Sequence, residues 1–293
     1  MISAIVPTLR GQARLERNLR SVARSLEAAG EPWEIVVVDD GGGGITWSGA
    51  GVRVVRLAEN RGYGPAVNAG VAASRGEYLL VLNDDVRLEP DTVTRLRSFF
   101  PDAALFAVVP AILSPLAVCG DEGGKAGVWD AGLLEIREAP SARTHPTFYA
   151  VGCCYLSPRE HWEALGGYDD AYAPFLWEDV DLAYRAWRRG LRILHVPEVA
   201  CHHEGSATLR EQRTLDERER IGFRNRALFH LRNLRDPDLR AEALGALAAY
   251  ALFEPHPERL RGLADALDPT RLAGASREGG LDDRAILEEV RPR

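Results

Sequence analysis

Residues 76–88 read GEYLLVLNDDVRL, from Gly76 to Leu88. Within it Tyr78-Leu79-Leu80-Val81-Leu82 is an unbroken apolar run of strand length, the pattern of a strand covered on both faces in a parallel sheet. It ends abruptly in Asn83-Asp84-Asp85. Ligands of open α/β sheets occupy the crevice beyond the carboxyl ends of the strands, so an amide and two carboxylates stand there to receive one. They are hard oxygen donors, suited to Mg2+ or Mn2+ that keeps part of its water and also holds a phosphate. The plainer reading is a strand-ending turn, since Asn and Asp bond their own backbone. This stretch taken alone leaves both readings open.

The segments before it repeat the theme. Ser3 to Thr8 reads as a first strand that stops at Pro7, which cannot donate to a ladder. Leu15, Leu19, Val22 and Leu26 recur at helical spacing up to Gly30. A second apolar strand, Trp33 to Val38, also ends in acids, Asp39-Asp40, followed by four glycines, Gly41 to Gly44. Val52 to Leu57 reads as a third strand, and after Glu59-Asn60-Arg61-Gly62-Tyr63-Gly64-Pro65 a helix is expected from Ala66 to Ser74. This order predicts an α/β fold with a Rossmann-like, mainly parallel sheet flanked by helices and joined by right-handed crossovers. Gly62-x-Gly64 is a poor dinucleotide fingerprint, because Pro65 follows and the third glycine is missing.

A length of 293 residues suits one large or two small domains, and 46% hydrophobic with 27% charged residues is a globular composition. No segment has the run of about eighteen apolar residues that a membrane span requires. The first residues enter a strand pattern at once, which predicts a cytoplasmic chain without an export leader. A net charge of −7 argues against a general polyanion surface and against nucleic acid as a partner. Cys119, Cys153, Cys154 and Cys201 show neither zinc-type pairing nor a disulfide framework and are expected to be reduced.

Past Leu88, a helix is expected from Asp91 to Phe100 and a strand from Ala104 to Val109; Ser114 to Ala126, rich in small residues, reads as a loop with no assigned chemistry. One or two short strands are expected in Trp129 to Glu138, then a connection from Thr144 to Phe148. Tyr149 to Leu156 reads as a strand interrupted by Gly152, and an internal glycine marks close approach of backbone or ligand. The vicinal Cys153 and Cys154 fit buried structural thiols better than redox chemistry. Beyond a helix through Trp162 and Leu165, Trp177-Glu178-Asp179-Val180-Asp181 opens another helix. One acid there is explained by capping, with Asp181 the expected cap; three beside a tryptophan are not. Leu191 to Val196 predicts a strand, and His202 and His203 follow Pro197, where imidazole could complete a divalent-metal site with Asp85. From Leu209 the chain turns charged and helical; Leu244 to Phe253 is apolar but too short to span a bilayer and reads as a docking helix rather than an interfacial one. The Gly-rich break after Gly274 points to a partly disordered tail.

VPTLR, VVVDDGG, ENRGYGPAVNAG, LLVLNDDVRLEP and WEDVD resemble, in order and spacing, the family 2 glycosyltransferases of GT-A fold, and most the bacterial branch of rhamnosyl- and galactofuranosyltransferases. The resemblance runs over about residues 2 to 206, implying a GT-A domain at 1–206 and a helical extension at 207–293. It implies inverting transfer from a UDP- or dTDP-sugar to a glycan or lipid-linked acceptor in cell-surface polysaccharide or glycoconjugate synthesis, with Mg2+ or Mn2+ as cofactor and with peripheral membrane association as a corollary. Residue by residue, it implies that Asp39 contacts the donor base beside Pro7 and Thr8, with Asn60, Gly62 and Asn68 also on the donor side. Asn83-Asp84-Asp85 is then the DxD-type motif, in which Asn83 leaves Asp85 as the direct metal ligand. Glu178 and Trp177 would line the acceptor pocket, with Gly152 near the sugar and acceptor and Asp179 the general base. One histidine of the pair belongs at the metal: counting back from Ser206 selects His202, counting on from Pro197 selects His203. Two rivals are a sugar-phosphate nucleotidyltransferase and a non-catalytic nucleotide-sugar-binding homologue. The first lacks its Gly-rich loop, since PTLRGQARL holds a single glycine; Asp39, Asp85 and Asp179 together argue against the second.

Overall fold

In the computed structural model, the apolar run forms β4 (Tyr78–Leu82), buried from Leu79 to Leu82. The structure describes all residues except 10, 11, 48, 116, 118, 206–213, 254–255, 274–279 and 293. The other sheet strands are β1 (Ile2–Thr8), β2 (Trp33–Asp39), β3 (Val52–Arg56), β5 (Val86–Leu88), β6 (Leu105–Leu113), β9 (His145–Pro146), β10 (Cys154–Pro158) and β11 (Arg192–His203), while β7 (Lys125–Asp130) and β8 (Leu133–Glu138) pair as a separate hairpin. The nine-stranded sheet has the order β3-β2-β1-β4-β10-β6-β11-β5, with β9 on β11. β3, β2, β1 and β4 are parallel, as is β6 with β11, which matches the expected fold class. The ladder from β1 to β4 ends at Ile5, so Pro7 lies beyond it while pairing with β2 continues to Thr8. That placement lets a proline sit in a central strand.

β10 runs antiparallel between β4 and β6, with Cys154 opposite Leu82. The expected strand from Tyr149 therefore starts only at Cys154, and Gly152-Cys153 become a turn against the end of β4. Two further differences converge on that edge. β5, too short to read from pattern, follows Asp85 directly. β11 does not stop at Pro197: a register shift between Val196 and Ala200 lets it resume, so the histidine pair lies within the strand, His203 opposite Val86 and His202 opposite Arg87.

Helices α1 (Gln12–Ala28), α2 (Tyr63–Ala73), α3 (Thr92–Arg97), α4 (Arg159–Leu165) and α5 (Glu178–Arg188) accompany the sheet. α1 buries Leu15, Leu19, Val22 and Leu26 as its spacing requires. α2 begins at Tyr63 rather than Ala66, because Pro65 is tolerated in a first turn whose amides are unpaired anyway.

The C-terminal segment is helical: α6 (Leu215–Asn233), α7 (Pro237–Phe253), α8 (Pro257–Ala266), α9 (Pro269–Leu272) and α10 (Asp283–Glu289). A capping box of Thr214 and Glu217 starts α6. α7 buries Leu239, Ala243 and Leu247 and exposes Leu244, Leu252 and Phe253. Among the described residues, no helix is long and apolar enough to cross a membrane. The break at 274–279 lies outside the described residues, but beyond it α10 is docked: buried Asp283 takes hydrogen bonds from Tyr184 Oη at 2.6 Å and from the amides of Arg235 and Asp236, each at 2.6 Å, and pairs with buried Arg188. Burial pushes the Asp283 carboxyl up, but these donors outweigh it and hold the group below its usual range. Asp283→Ala should therefore cost about 3–5 kcal/mol, the usual loss when one partner of a buried ion pair is removed. Because the native carboxyl is the stronger acid, this contribution is present at neutral pH and fades as pH falls through its native pKa. Urea midpoints at pH 7 and pH 3 test it; equal mutant penalties at both would contradict the pairing.

Candidate active site

The acids after β4 point two ways. Asp84 turns inward, where Oδ2 accepts the Thr8 hydroxyl at 2.5 Å, Oδ1 lies 3.3 Å from the Arg14 guanidinium, and its carbonyl accepts the Asn18 amide at 2.9 Å. It holds the loop to β1 and α1. Thr8 is likewise engaged with Asp84. Asn83 donates its backbone N–H to the Cys153 carbonyl at 3.0 Å. Asp85 turns the other way, and its Oδ1 lies 3.3 Å from His203 Nε2.

The β5–β11 register gives the two histidines different surroundings. Successive residues of a strand face opposite sides. His203 is buried beside Asp85, whereas half-exposed His202 meets Glu89 at 2.8 Å. Burial alone would lower the His203 pKa, but Asp85, Cys153 and Glu122 around it push it up to about 12. Its Nδ1 is 3.1 Å from Glu122 Oε2, while Nε2 is buried without a hydrogen-bond partner. Glu122 belongs to the Ser114 to Ala126 stretch that carried no assignment; two consecutive acids bracketed by Gly120 and Gly123-Gly124 were the available signal. Among the described residues no three His, Cys, Asp or Glu side chains by themselves form a metal-holding group. Mg2+ and Mn2+ need fewer, because they retain waters and share substrate phosphates, and an imidazole nitrogen 3.3 Å from a carboxylate without hydrogen-bond geometry fits such an ion.

At the end of β2, Asp39 sits level with Thr8 of β1. Its Oδ1 accepts the amides of Gly42 and Gly43 at 3.1 and 3.2 Å; Oδ2 is buried and unpartnered. A Cβ at Gly42 would stand 1.7 Å from the Leu9 carbonyl oxygen, so only glycine closes this loop over Asp39. Asp40 faces away and accepts the amides of Arg61 and Gly62 at 2.8 and 2.9 Å.

The three residues expected on the donor side after β3 make contacts within the protein. Asn60 Oδ1 accepts the Gly62 amide at 3.1 Å. Gly62, at φ 93°, packs so tightly on Pro174 that a Cβ would fall 2.3 Å from its carbonyl oxygen. Asn68 spends both ends of its amide on the Tyr168 backbone, at 2.7 and 3.1 Å. Together they fix the loops that precede α5.

Those loops deliver the second acid group. Leu176 and Trp177 adopt left-handed backbone, φ 71° and 74°, which non-glycine residues take only when held there. Fully buried Asn225 of α6 holds them, donating to the carbonyls of Tyr172, Phe175 and Leu176 at 2.6, 2.9 and 2.7 Å. The Trp177 ring rests on Phe229 and His230, at centroid distances of 5.2 and 6.0 Å. Burial drives the His230 pKa down to about 4, leaving a neutral ring that accepts the Leu134 amide on Nε2. Asp179 then receives the Gly152 amide on Oδ2 at 3.4 Å and the Val180 amide on Oδ1 at 2.9 Å. Burial raises its pKa to about 6, against the pull of those amides. Glu178 is raised further by burial and by Asp179 itself, and its Oε2 has no partner. Gly152 is pinched between Asp179 and Tyr63, whose hydroxyl donates to its carbonyl; a Cβ there would meet the Tyr63 oxygen at 3.0 Å. The neighbouring Cys153 thiol is pushed by burial to about 12 and is inert, and the four cysteines are unpaired.

Residues 3–115 match the family model described as Glycosyl transferase family 2. That segment is similar to family 2 glycosyltransferases. It contains Asp39 and Asp85 and stops short of Glu122, Asp179 and His203. An uncharacterised protein of Sinorhizobium fredii is 27% identical over 250 residues, 75% of this chain and 26% of that protein. The undecaprenyl-phosphate 4-deoxy-4-formamido-L-arabinose transferase of Pseudomonas paraeruginosa is 31% identical over 105 residues, 33% of this chain and 31% of that one. The chain thus spans about a quarter to a third of the length of these relatives. The solved structure of GalNAc-T7 with UDP, GalNAc and Mn2+ superposes at a TM-score of 0.68 with 16% identity, over 99% of this chain and 56% of that one, which establishes the GT-A fold.

Asp181 corrects a further expectation. It caps nothing: Trp177 is the N-cap residue and makes no side-chain cap, while Asp181 faces inward, accepting from Tyr172 Oη and Asn233 Nδ2 at 2.9 Å each and from Arg185 Nε at 2.8 Å. Asp181→Ala should therefore destabilise by about 3–5 kcal/mol, as for a broken buried pair, rather than the roughly 1 kcal/mol of a lost cap. A chemical-denaturation difference near the smaller figure would contradict the buried network.

Proposed function

We propose that the chain is an inverting glycosyltransferase that moves a sugar from a UDP- or dTDP-sugar to the hydroxyl of a glycan or lipid-linked acceptor. One observation carries the reading most directly. Gly152 donates to Asp179 and adjacent Cys153 accepts from Asn83, so two consecutive residues join the carboxylate at the start of α5 to the acid motif at the end of β4. A base for the acceptor and a seat for the donor phosphates are thereby adjacent parts of one sheet edge.

In this reading Asp39 recognises the base: its unpartnered Oδ2 accepts the N3–H of uracil or thymine, with Pro7 and Thr8 alongside. Asp85 and His203 would hold Mg2+ or Mn2+, which when bound neutralises charge on the departing diphosphate. Asp179 takes the proton of the acceptor hydroxyl as that oxygen attacks the anomeric carbon. Glu178, held as the weaker acid of the pair, keeps Asp179 the ionised one. Trp177 and Gly152 shape the acceptor side. The presence of UDP and Mn2+ in the GalNAc-T7 structure supports the donor and the ion; the undecaprenyl-phosphate named for the Pseudomonas relative supports a lipid-linked acceptor. Exposed Leu244, Leu252 and Phe253 on α7 support peripheral contact with a membrane carrying such an acceptor, from the cytoplasmic side. The motif set's resemblance to rhamnosyl- and galactofuranosyltransferases supports a pyrimidine-nucleotide hexose and a role in surface polysaccharide or glycoconjugate synthesis.

Asp179→Asn should lower turnover by about a hundredfold or more, the usual share of a general base, and leave the Kd for UDP unchanged. Wild-type activity should rise with pH through about 6, since the base works only when ionised. The same shift sets a sign for stability. A carboxyl with a raised native pKa opposes folding once ionised, so the neutral Asn variant should melt no lower than wild type at pH 7.5. A variant with wild-type turnover, or a flat pH profile between 5 and 7, would remove Asp179 from the role.

A further inference from the structure

Glu122 reaches His203 from a loop that the sheet pins at an adjoining point. Asp121 Oδ1 accepts the amides of Ile112 and Gly123 at 2.8 and 2.7 Å, and the Glu122 amide donates to the Ile112 carbonyl at 2.9 Å. Asp121 Oδ2 is 3.0 Å from Nε2 of His195, which is fully buried on β11, the strand that also carries His203. The loop lies so close to His195 that a Cβ on Gly123 would stand 2.9 Å from the imidazole Cδ2 and 2.3 Å from the Pro110 oxygen. Asp121, Gly123 and Ile112 thus fix the backbone of Glu122 relative to β11 before its side chain is considered.

We propose that Glu122 is a positioning residue for a metal-binding imidazole: held by the Asp121–His195 latch, it keeps the proton of His203 on Nδ1 and presents the Nε2 lone pair beside Asp85 to a divalent cation. This rests on the metal reading given above. The geometry is that of an imidazole placed between two carboxylates, 3.1 Å from Glu122 at one nitrogen and 3.3 Å from Asp85 at the other. Metal binding displaces the Nε2 proton, and the resulting neutral imidazole donates from one nitrogen and coordinates through the other. The carboxylate behind it selects which, fixes the ring plane and makes the coordinating nitrogen more basic. Glu122 itself touches neither donor nor acceptor in this scheme. Because imidazole suits transition-metal ions better than it suits Mg2+, which favours oxygen, Glu122 also biases the site toward Mn2+.

The test is a titration of the intact chain with Mn2+ alone, following free Mn2+ by electron paramagnetic resonance, with Mg2+ as competitor. Glu122→Ala should weaken Mn2+ by about 10- to 100-fold, the usual effect of losing such a supporting carboxylate, with a smaller change for Mg2+. Glu122→Gln, which still accepts a hydrogen bond, should recover part of the loss and guards against misfolding of the alanine variant. In a His203→Ala background Glu122→Ala should add nothing, since it acts only through that ring. Wild-type Mn2+ affinity in Glu122→Ala, or a loss that persists without His203, would overturn the positioning role while leaving the metal site intact. Wild-type protein whose Mn2+ binding is unaffected by Asp85→Ala and His203→Ala would overturn the metal reading and this inference with it.

Discussion

The hydrogen bond from the Asn83 amide to the Cys153 carbonyl, 3.0 Å long, is the point on which the molecule turns. It exists because β10 runs antiparallel beside β4 with Cys154 opposite Leu82. A parallel strand there would carry its entry turn to the far edge of the sheet. With the antiparallel insertion, the residues entering β10 lie where β4 ends, and the amide of Gly152 is left to meet Asp179. The pairing of β5 with β11 does the equivalent work on the other side, setting His203 opposite Val86 and so beside Asp85. Reversing one strand and extending another thus gather residues 85, 122, 152, 179 and 203 at one edge.

The strain in the site has an identifiable support. Two consecutive left-handed residues, Leu176 and Trp177, aim the start of α5, and each is unfavourable for a side-chain-bearing residue. A single amide, that of Asn225, takes up the three carbonyls which this path leaves without partners, at no exposure to water. The C-terminal helices are therefore part of how the acids at Glu178 and Asp179 are held. Burial then separates the two carboxyls in strength, since Glu178 is the more buried by residue exposure and Asp179 receives backbone amides from Gly152 and Val180.

Much of this was legible in the sequence where the signal is local. The unbroken run of β4, the acid-tipped β2 and the spacing of α1 predicted the parallel half of the sheet and the position of Asp39 and Asp85 at its edge. What escaped depends on long-range pairing. β5 has three residues and no periodicity of its own, and β11 continues through Pro197 only because a bulge restores its register. Without those two facts the different surroundings of His202 and His203 could not be read from the sequence. Asn68 read as a donor contact and Asp181 as a helix cap, and the structure gives both of them partners brought from elsewhere, Tyr168 for one and Tyr172, Arg185 and Asn233 for the other. Glu122 was missed for the converse reason: its loop is irregular, and only the return of β6 beside β11 carries it to His203.

A crystal structure of the chain with UDP and Mn2+ is the most direct measurement of whether these residues form one site. The uracil ring should lie against Asp39, with its N3–H toward Oδ2, and anomalous scattering should place Mn2+ between Asp85 and His203, with the diphosphate on its far side and the Asp179 carboxylate facing the open space beyond it. Mn2+ bound away from Asp85 and His203, or UDP bound at a distance from Asp39, would contradict the site described here.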